Sequence, residues 1–98
     1  MNPDKVDRNR LRNRTDLPNI GEASAADLRL LGIHEPAQLV GRNPLEMYES
    51  LCNLTGSRQD PCVLDVFISI TRFMEGEDPR PWWEYTEGRK RTHPLKPR

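Results

Sequence analysis

The chain has 98 residues with equal numbers of basic and acidic side chains, the size of one domain with a modest core. No run of about 18 apolar residues is present, so we expect no membrane span. The N-terminal stretch MNPDKVDRNR lacks the apolar region of a secretory signal. Two cysteines, Cys52 and Cys62, do not suggest a disulfide scaffold, so we expect a reduced, cytoplasmic setting.

The charges are distributed unevenly along the chain. Five basic and three acidic residues give residues 1–16 a net charge of +2, and five basic residues give residues 88–98 a net charge of +5. Residues 17–87 hold five basic and twelve acidic residues, a net charge of −7. Because phosphate binding needs local positive charge, the two ends favour a nucleic-acid partner and the acidic middle does not.

Three steps mark helix starts, since each places a capping side chain before a proline at the first helical position: Asn2-Pro3, Asn43-Pro44 and Asp60-Pro61. The first predicted helix covers residues 3–14. It is polar and basic, with Val6 and Leu11 as its apolar anchors, and we expect it to fray at its N-terminus. Residues 1–14 therefore form a separate N-terminal segment in this prediction.

The next three predicted helices carry most of the remaining apolar spacing. The second covers residues 22–31 and ends at Gly32, with an inner face of Ala23, Ala26, Leu30 and Leu31. The third is a short helix over residues 36–40 that directs Leu39 and Val40 inward. The fourth covers residues 44–54, with a stripe at helical spacing formed by Leu45, Tyr48, Leu51 and Cys52.

The fifth predicted helix, residues 61–75, is apolar on most sides, so we expect the other helices to surround it. After Gly76, we expect Trp82, Trp83 and Tyr85 to pin the chain to the helices. Residues 88–98 are predicted to be a disordered basic tail. The compact domain is then residues 15–87, and the fold class is all-α, a bundle of about five helices.

The stretch Leu17-Pro18-Asn19-Ile20-Gly21 matches the tight turn of a helix-hairpin-helix motif with one substitution. In that motif the turn leads into a helix N-terminus whose amides bind a DNA phosphate, helped by the helix dipole. Asn19 stands where the first glycine is usual, and asparagine tolerates the left-handed backbone region. Glu22 and Asp27 weaken the attraction for a phosphate, and Arg29 is the one basic residue of this predicted helix.

Residues 15–86 resemble the small bacterial helix-hairpin-helix proteins called "pathogenicity locus" or "mitomycin resistance" proteins. The features that carry the resemblance are the turn, Leu31-Gly32-Ile33, the Asn43-Pro44…Tyr48…Leu51-Cys52 helix, Cys62 and Trp82-Trp83. A similar core occurs at the C-terminus of competence regulators of the TfoX type. The resemblance implies an all-α fold related to DNA-binding hairpins. The family labels name a phenotype or a genomic location rather than a reaction.

Two other groups of residues carry alternatives. Cys52 and Cys62 are either small buried apolar residues or a redox pair in which a helix N-terminus activates Cys62. A zinc site completed by His34 and His93 is disfavoured by its irregular spacing. At least one tryptophan of the Trp82-Trp83 pair is expected in the core, and an exposed indole can stack on unpaired bases. The basic tail either binds phosphates or acts as a solvated, solubilising segment.

We therefore predict weak DNA binding without sequence preference. The hairpin residues expected to contact DNA are Pro18, Asn19, Ile20, Gly21 and Ala23, and the basic residues are Arg12, Arg14, Arg29, Arg89, Lys90 and Arg91. The alternative is a protein-interaction module with an acidic surface and no DNA binding. No catalytic set, cofactor motif or metal cluster is evident, so we do not expect an enzyme or a small-molecule substrate. We expect the chain to be a monomer.

Overall fold

The computed structural model describes residues 2–94, and all regular structure in that range is helical. Its α-helices are α1 (Glu22–Leu30), α2 (Pro44–Thr55), α3 (Pro61–Met74) and α4 (Thr86–Thr92). Single 3-10 turns lie at Pro3–Lys5, Arg8–Arg10, Arg14–Asp16, Pro36–Leu39 and Trp82–Tyr85. The all-α prediction is confirmed, although the described residues hold four α-helices rather than five. None of these helices is long and apolar enough to cross a lipid bilayer.

The predicted capping residues act as expected at α2 and α3. The Asn43 side chain accepts hydrogen bonds from the amides of Leu45 and Glu46, and Asp60 accepts one from the amide of Cys62. Each cap satisfies amides that have no partner within the helix. The bounds of α2 and α3 therefore agree with the sequence prediction to within one residue.

The core is built around α3. This helix packs against α2, α4 and the turns Pro36–Leu39 and Trp82–Tyr85, while α1 packs against α2 and Arg14–Asp16. The fully buried residues of α3 include Leu64, Phe67, Ile70 and Phe73. Burying each such side chain stabilises the folded state by about 1.5–3 kcal/mol. From α2, Leu51 and the unpredicted Met47 complete the same core.

The buried face of α1 differs from the prediction. Ala25 and Leu28 are buried, whereas Leu30 is 56% exposed. The predicted inner face was therefore wrong for Ala23 and Ala26, which are exposed, and only Leu31 packs partly against the core. The buried residues before and after α1 orient this helix, since Leu17, Ile20 and Ile33 are fully buried on either side of it.

The third predicted helix is a single 3-10 turn, Pro36–Leu39. Leu39 is buried as predicted, but Val40 is 63% exposed. Val40 has extended backbone angles, so the 3-10 turn ends before it. Its side chain therefore does not point where a continued helix would direct it.

Residues 3–14 form separate 3-10 turns instead of one continuous helix. Asn2 and Asp7 each accept a hydrogen bond from the amide two residues ahead, and Asp16 accepts from the amides of Arg12 and Asn13. Short polar side chains of this kind compete with helical hydrogen bonding. The segment is nevertheless anchored, because the Arg8 guanidinium donates to the carbonyls of Phe73 and Glu77 at 2.6 and 2.7 Å.

The predicted disordered tail was wrong for residues 88–92, which belong to α4. Arg89 holds this helix on α3 through a buried ion pair with Asp65. Residues 95–98 of the predicted tail lie outside the described residues.

Candidate nucleic-acid interface

The hairpin turn, residues 17–21, and the helix that follows it form as the sequence predicted. Leu17 and Ile20 are buried, and Asn19 has a φ of 67°, in the left-handed region. Gly21 then leads directly into α1. The element before the turn is only the 3-10 turn Arg14–Asp16, so a complete helix-hairpin-helix motif is not confirmed.

The side chain of Asn19 ties the hairpin turn to two other parts of the molecule. Its Nδ2 donates to Ser69 Oγ at 3.0 Å and to the backbone carbonyl of Arg80 at 2.8 Å. The Ser69 hydroxyl in turn donates to the carbonyl of Val66 at 2.6 Å. A glycine at position 19 would allow the same backbone angles but could make neither side-chain bond.

The N-terminus of α1 has no side-chain cap, since its N-cap residue is Gly21. Gly21 is exposed, and a Cβ atom built on it would meet nothing within 4 Å. Helix N-terminal amides without a capping side chain are free to bind water or an anion, and the helix dipole favours the anion. This end of α1 is therefore open to a ligand phosphate.

A cleft of about 610 Å³ opens beside the hairpin turn. Its walls are formed by residues 2–4, residues 19–21 and residues 81–83. Trp82 is half-buried in this wall, whereas Trp83 is 61% exposed. The two indole rings meet edge to face, with centroids 5.7 Å apart and an interplanar angle of 83°. Of the three aromatic residues predicted to pin this segment, Tyr85 is the buried one.

The charged side chains around the cleft do not attract an anion. Asp4 lines the cleft, and Glu22 is exposed in the first turn of α1. None of the described residues that line the cleft is basic. Arg29 lies in the last turn of α1, about 12 Å along the helix axis from Gly21. The backbone geometry of the turn therefore favours a phosphate, whereas the nearby acidic side chains disfavour one.

The two basic residues near the N-terminus that were predicted to bind DNA differ in their exposure to solvent. The Arg14 guanidinium donates to the carbonyl of Ile33 at 3.3 Å and is half-buried. Arg12 is exposed. Of the remaining hairpin residues, Pro18 and Ile20 are buried, while Ala23 is exposed.

Arg89 is occupied within the fold. Its Nε lies 2.8 Å from Asp65 Oδ1, and its Nη2 lies 3.4 Å from Asp65 Oδ2. The hydroxyl of Thr86 donates to the same carboxylate at 2.9 Å. The hydrogen bond with Asp65 raises the pKa of Arg89, and only 7% of the residue is exposed. Arg89 is therefore a structural residue and does not belong to a DNA-binding surface.

Lys90 and Arg91 are the basic residues of α4 that face solvent. Lys90 Nζ lies 3.8 Å from a carboxylate oxygen of Glu87, in an exposed pair that leaves the ammonium accessible. Arg91 lines a second cavity, about 350 Å³, whose walls include residues of α3 and α4. These two side chains remain available to nucleic acid.

The two cysteines are free thiols, and both are partly buried. Burial and the neighbouring Asp60 raise the pKa of Cys62 to about 11, so the helix N-terminus does not activate this thiol. The Sγ of Cys52 accepts a hydrogen bond from the amide of Gln59 at 3.4 Å. Among residues 2–94, no group of three His, Cys, Asp or Glu side chains is placed to hold a metal ion.

Two features of the structure were absent from the sequence prediction. The first is the link from Asn19 to Ser69 and Arg80, which nothing in the local sequence indicates. The second is the buried pair of Asp65 and Arg89. The sequence does contain a signal for this pair, because Asp65 interrupts the apolar surface of α3 and a buried carboxylate requires a partner.

Comparisons with known proteins place the chain in a family. The sequence profile of the Cdd1 family, described as "pathogenicity locus", matches residues 7–91. The mitomycin resistance protein McrB of Streptomyces lavendulae is 46% identical over 77 residues, which cover 79% of this chain and 73% of that protein. No solved structure matches significantly, and the likeness to the TfoX core stays a prediction. The match over nearly the whole described fold shows that this chain belongs to the pathogenicity locus family.

Proposed function

We propose that this protein binds nucleic acid weakly and without sequence preference, and that it is not an enzyme. The observation that carries the proposal is the N-terminus of α1, which has no side-chain cap and follows directly on Gly21, a residue that lines the cleft. A phosphate placed there would accept hydrogen bonds from the first amides of α1. Exposed basic residues outside the cleft, such as Arg12, Lys90 and Arg91, supply long-range attraction.

The binding is expected to be weak for an electrostatic reason. Glu22 is exposed in the first turn of α1, Asp4 lines the cleft, and the cleft walls contribute no cation among the described residues. A contact made mainly by backbone amides positions a phosphate but reads no base sequence. We therefore expect binding that falls steadily as salt is added.

Two variants at Gly21 test the proposal. Gly21→Asp places a carboxylate at the N-cap, where it caps the α1 amides and repels a phosphate. Gly21→Ala adds only a methyl group, which has open space. We expect Gly21→Asp to abolish binding of a short labelled DNA at low salt, while Gly21→Ala retains it. Equal binding by both variants would contradict a phosphate contact at this turn.

The name of the relative McrB refers to mitomycin resistance, and we propose that this chain also contributes to mitomycin tolerance. Expression of the wild-type chain in a mitomycin-sensitive bacterium is expected to raise survival. If that role works through the hairpin turn, Gly21→Asp will not raise survival and Gly21→Ala will. Survival that is unchanged by the wild-type chain would count against the role.

A second candidate function is binding to another protein. Leu30 and Leu54 are 56% and 61% exposed, and both line a groove of about 380 Å³ between α1 and α2. A Leu30→Asp/Leu54→Asp variant tests this surface in pull-down experiments. A protein retained by the wild-type chain and lost by the variant would support this candidate, whereas identical retention by both would argue against it.

A further inference from the structure

Among the described residues, Trp83 is the exposed large aromatic side chain. Phe67, Phe73 and Tyr85 are at least nine-tenths buried, whereas Trp83 is 61% exposed. The exposed ring belongs to the wall of the cleft, together with Pro81 and Trp82. An apolar ring held at the mouth of a concave site is a contact surface for a ligand, in contrast to an isolated apolar residue on a convex face.

The position of this ring relative to the hairpin turn is set by the fold. Asn19 bonds to the carbonyl of Arg80, which begins the segment that carries the tryptophans. Trp82 meets Trp83 edge to face, so the two rings do not stack on each other in parallel. Trp82 therefore leaves at least one face of the Trp83 ring free for a flat ligand, and residues 19–21 of the hairpin turn line the same cleft.

We propose that the cleft takes one unpaired nucleobase of a single strand, stacked on Trp83. This inference rests on the proposed function and names its preferred nucleic acid. Every base offers a flat face when it is unpaired, and aromatic side chains bind such faces with little sequence preference. The cleft, about 610 Å³, falls within the range of roughly 300–1,000 Å³ that is usual for small-ligand sites.

The charges favour a single strand over a duplex. A duplex binder gains most of its affinity from cations that neutralise phosphates. The described residues that line the cleft include Asp4 and no basic side chain. Stacking does not need a cation, so this cleft can supply it without a basic side chain. Binding of a single strand should consequently depend less on salt than duplex binding by a basic surface does.

The experiment measures the binding of four labelled probes of equal length by fluorescence anisotropy. These are an oligothymidylate, an oligouridylate, a strand of abasic sugar-phosphate and a blunt DNA duplex. Each probe is titrated with the wild-type chain, with Trp83→Ala and with Leu54→Ala. Leu54 is the matched control, because it is as exposed as Trp83 and lines a different groove.

We expect one or both pyrimidine strands to bind more tightly than the abasic strand and the duplex. Trp83→Ala should weaken binding of the preferred strand by roughly tenfold, while Leu54→Ala should leave it unchanged. Trp83→Phe should restore part of the loss, since phenylalanine also stacks. Trp83→Ala should not change binding of the abasic strand, which offers no base.

Two results would overturn the inference, and they differ in what they imply for the proposed function. Equal binding of all four probes, with no effect of Trp83→Ala, would reject the base site but leave the phosphate contact at the hairpin turn in place. Absence of binding by every probe would reject both.

Discussion

Arg89 Nε lies 2.8 Å from Asp65 Oδ1, and this buried ion pair joins α4 to the centre of α3. The hydroxyl of Thr86 completes the set by donating to the second carboxylate oxygen. Removing one partner of such a pair leaves an uncompensated charge in the core, which is more costly than the pair itself. The pair therefore explains how residues 86–92 are held on the fold as α4.

Arg89→Met should lower the free energy of unfolding by about 3–5 kcal/mol, because Asp65 loses its buried cation. Urea denaturation followed by circular dichroism measures the change. Arg91→Met is the control, since it removes an exposed cation from the same helix and should change stability by no more than about 0.5 kcal/mol. An equal loss in both variants would show that the ion pair is not needed.

The double variant Asp65→Leu/Arg89→Met separates the cost of an unpaired buried charge from the cost of lost packing. Replacing both charges by apolar groups removes the unpaired carboxylate, so stability should return to near the wild-type value. A double variant as unstable as Arg89→Met alone would assign the cost to lost packing instead.

Asn19→Gly should destabilise the protein by about 1–2 kcal/mol, although glycine is the usual residue at this position of the turn. The variant keeps the left-handed angles but loses the bonds to Ser69 and Arg80. Thermal unfolding measures the change, and Ser69→Ala in a double-mutant cycle isolates one of the two bonds. A variant at least as stable as the wild type would show that Asn19 serves only the backbone angles.

Glu22→Lys should raise affinity for a short single-stranded DNA by roughly two- to fivefold at low salt, since it replaces repulsion by attraction beside the α1 amides. The slope of log K against log salt should steepen by about one. Glu46→Lys makes the same charge change in the first turn of α2, where Asn43 already caps the amides. An equal gain in both variants would indicate general charge rather than a contact at the hairpin turn.

Cys62 should react slowly with alkylating reagents at neutral pH, because burial raises its pKa to about 11. In a Cys52→Ser background, the alkylation rate measured by mass spectrometry should keep rising up to about pH 11. The raised pKa also means that the folded state holds its proton longer than the unfolded chain. Stability should therefore fall as pH rises from about 9 to about 11. A rate that levels off near pH 8 would restore the redox hypothesis.

Much of the fold was predictable because its signals are local. Asn43 and Asp60 mark helix starts, and the apolar surface of α3 identifies the central element from residue spacing alone. The left-handed turn at Asn19 was also predicted from residue type. These features depend on neighbours within a few positions along the chain.

The features that escaped prediction depend on distant residues. Arg8 anchors the N-terminal segment on carbonyls 65 and 69 positions away, and Asn19 bonds to residues 50 and 61 positions away. The orientation of α1 also depends on distant residues. Packing against the rest of the fold buries Ala25 and Leu28, whereas Ala23 and Ala26 stay exposed. Helical spacing alone did not identify this face.

The candidate site was predictable in its parts and not in their arrangement. The hairpin turn and the Trp82-Trp83 pair were both singled out from the sequence, but their meeting in one cleft was not. The sequence also placed Arg89 among the DNA-binding residues, because a run of basic residues shows charge without showing burial.

A residue-resolved NMR titration with a short oligothymidylate at low salt tests the central claim most directly. We predict saturable shifts in the amides of residues 19–23 together with the indole NH of Trp83, and no shift around Leu54. Shifts confined to the basic residues of α4, or no shift at all at high protein concentration, would contradict binding at the hairpin turn.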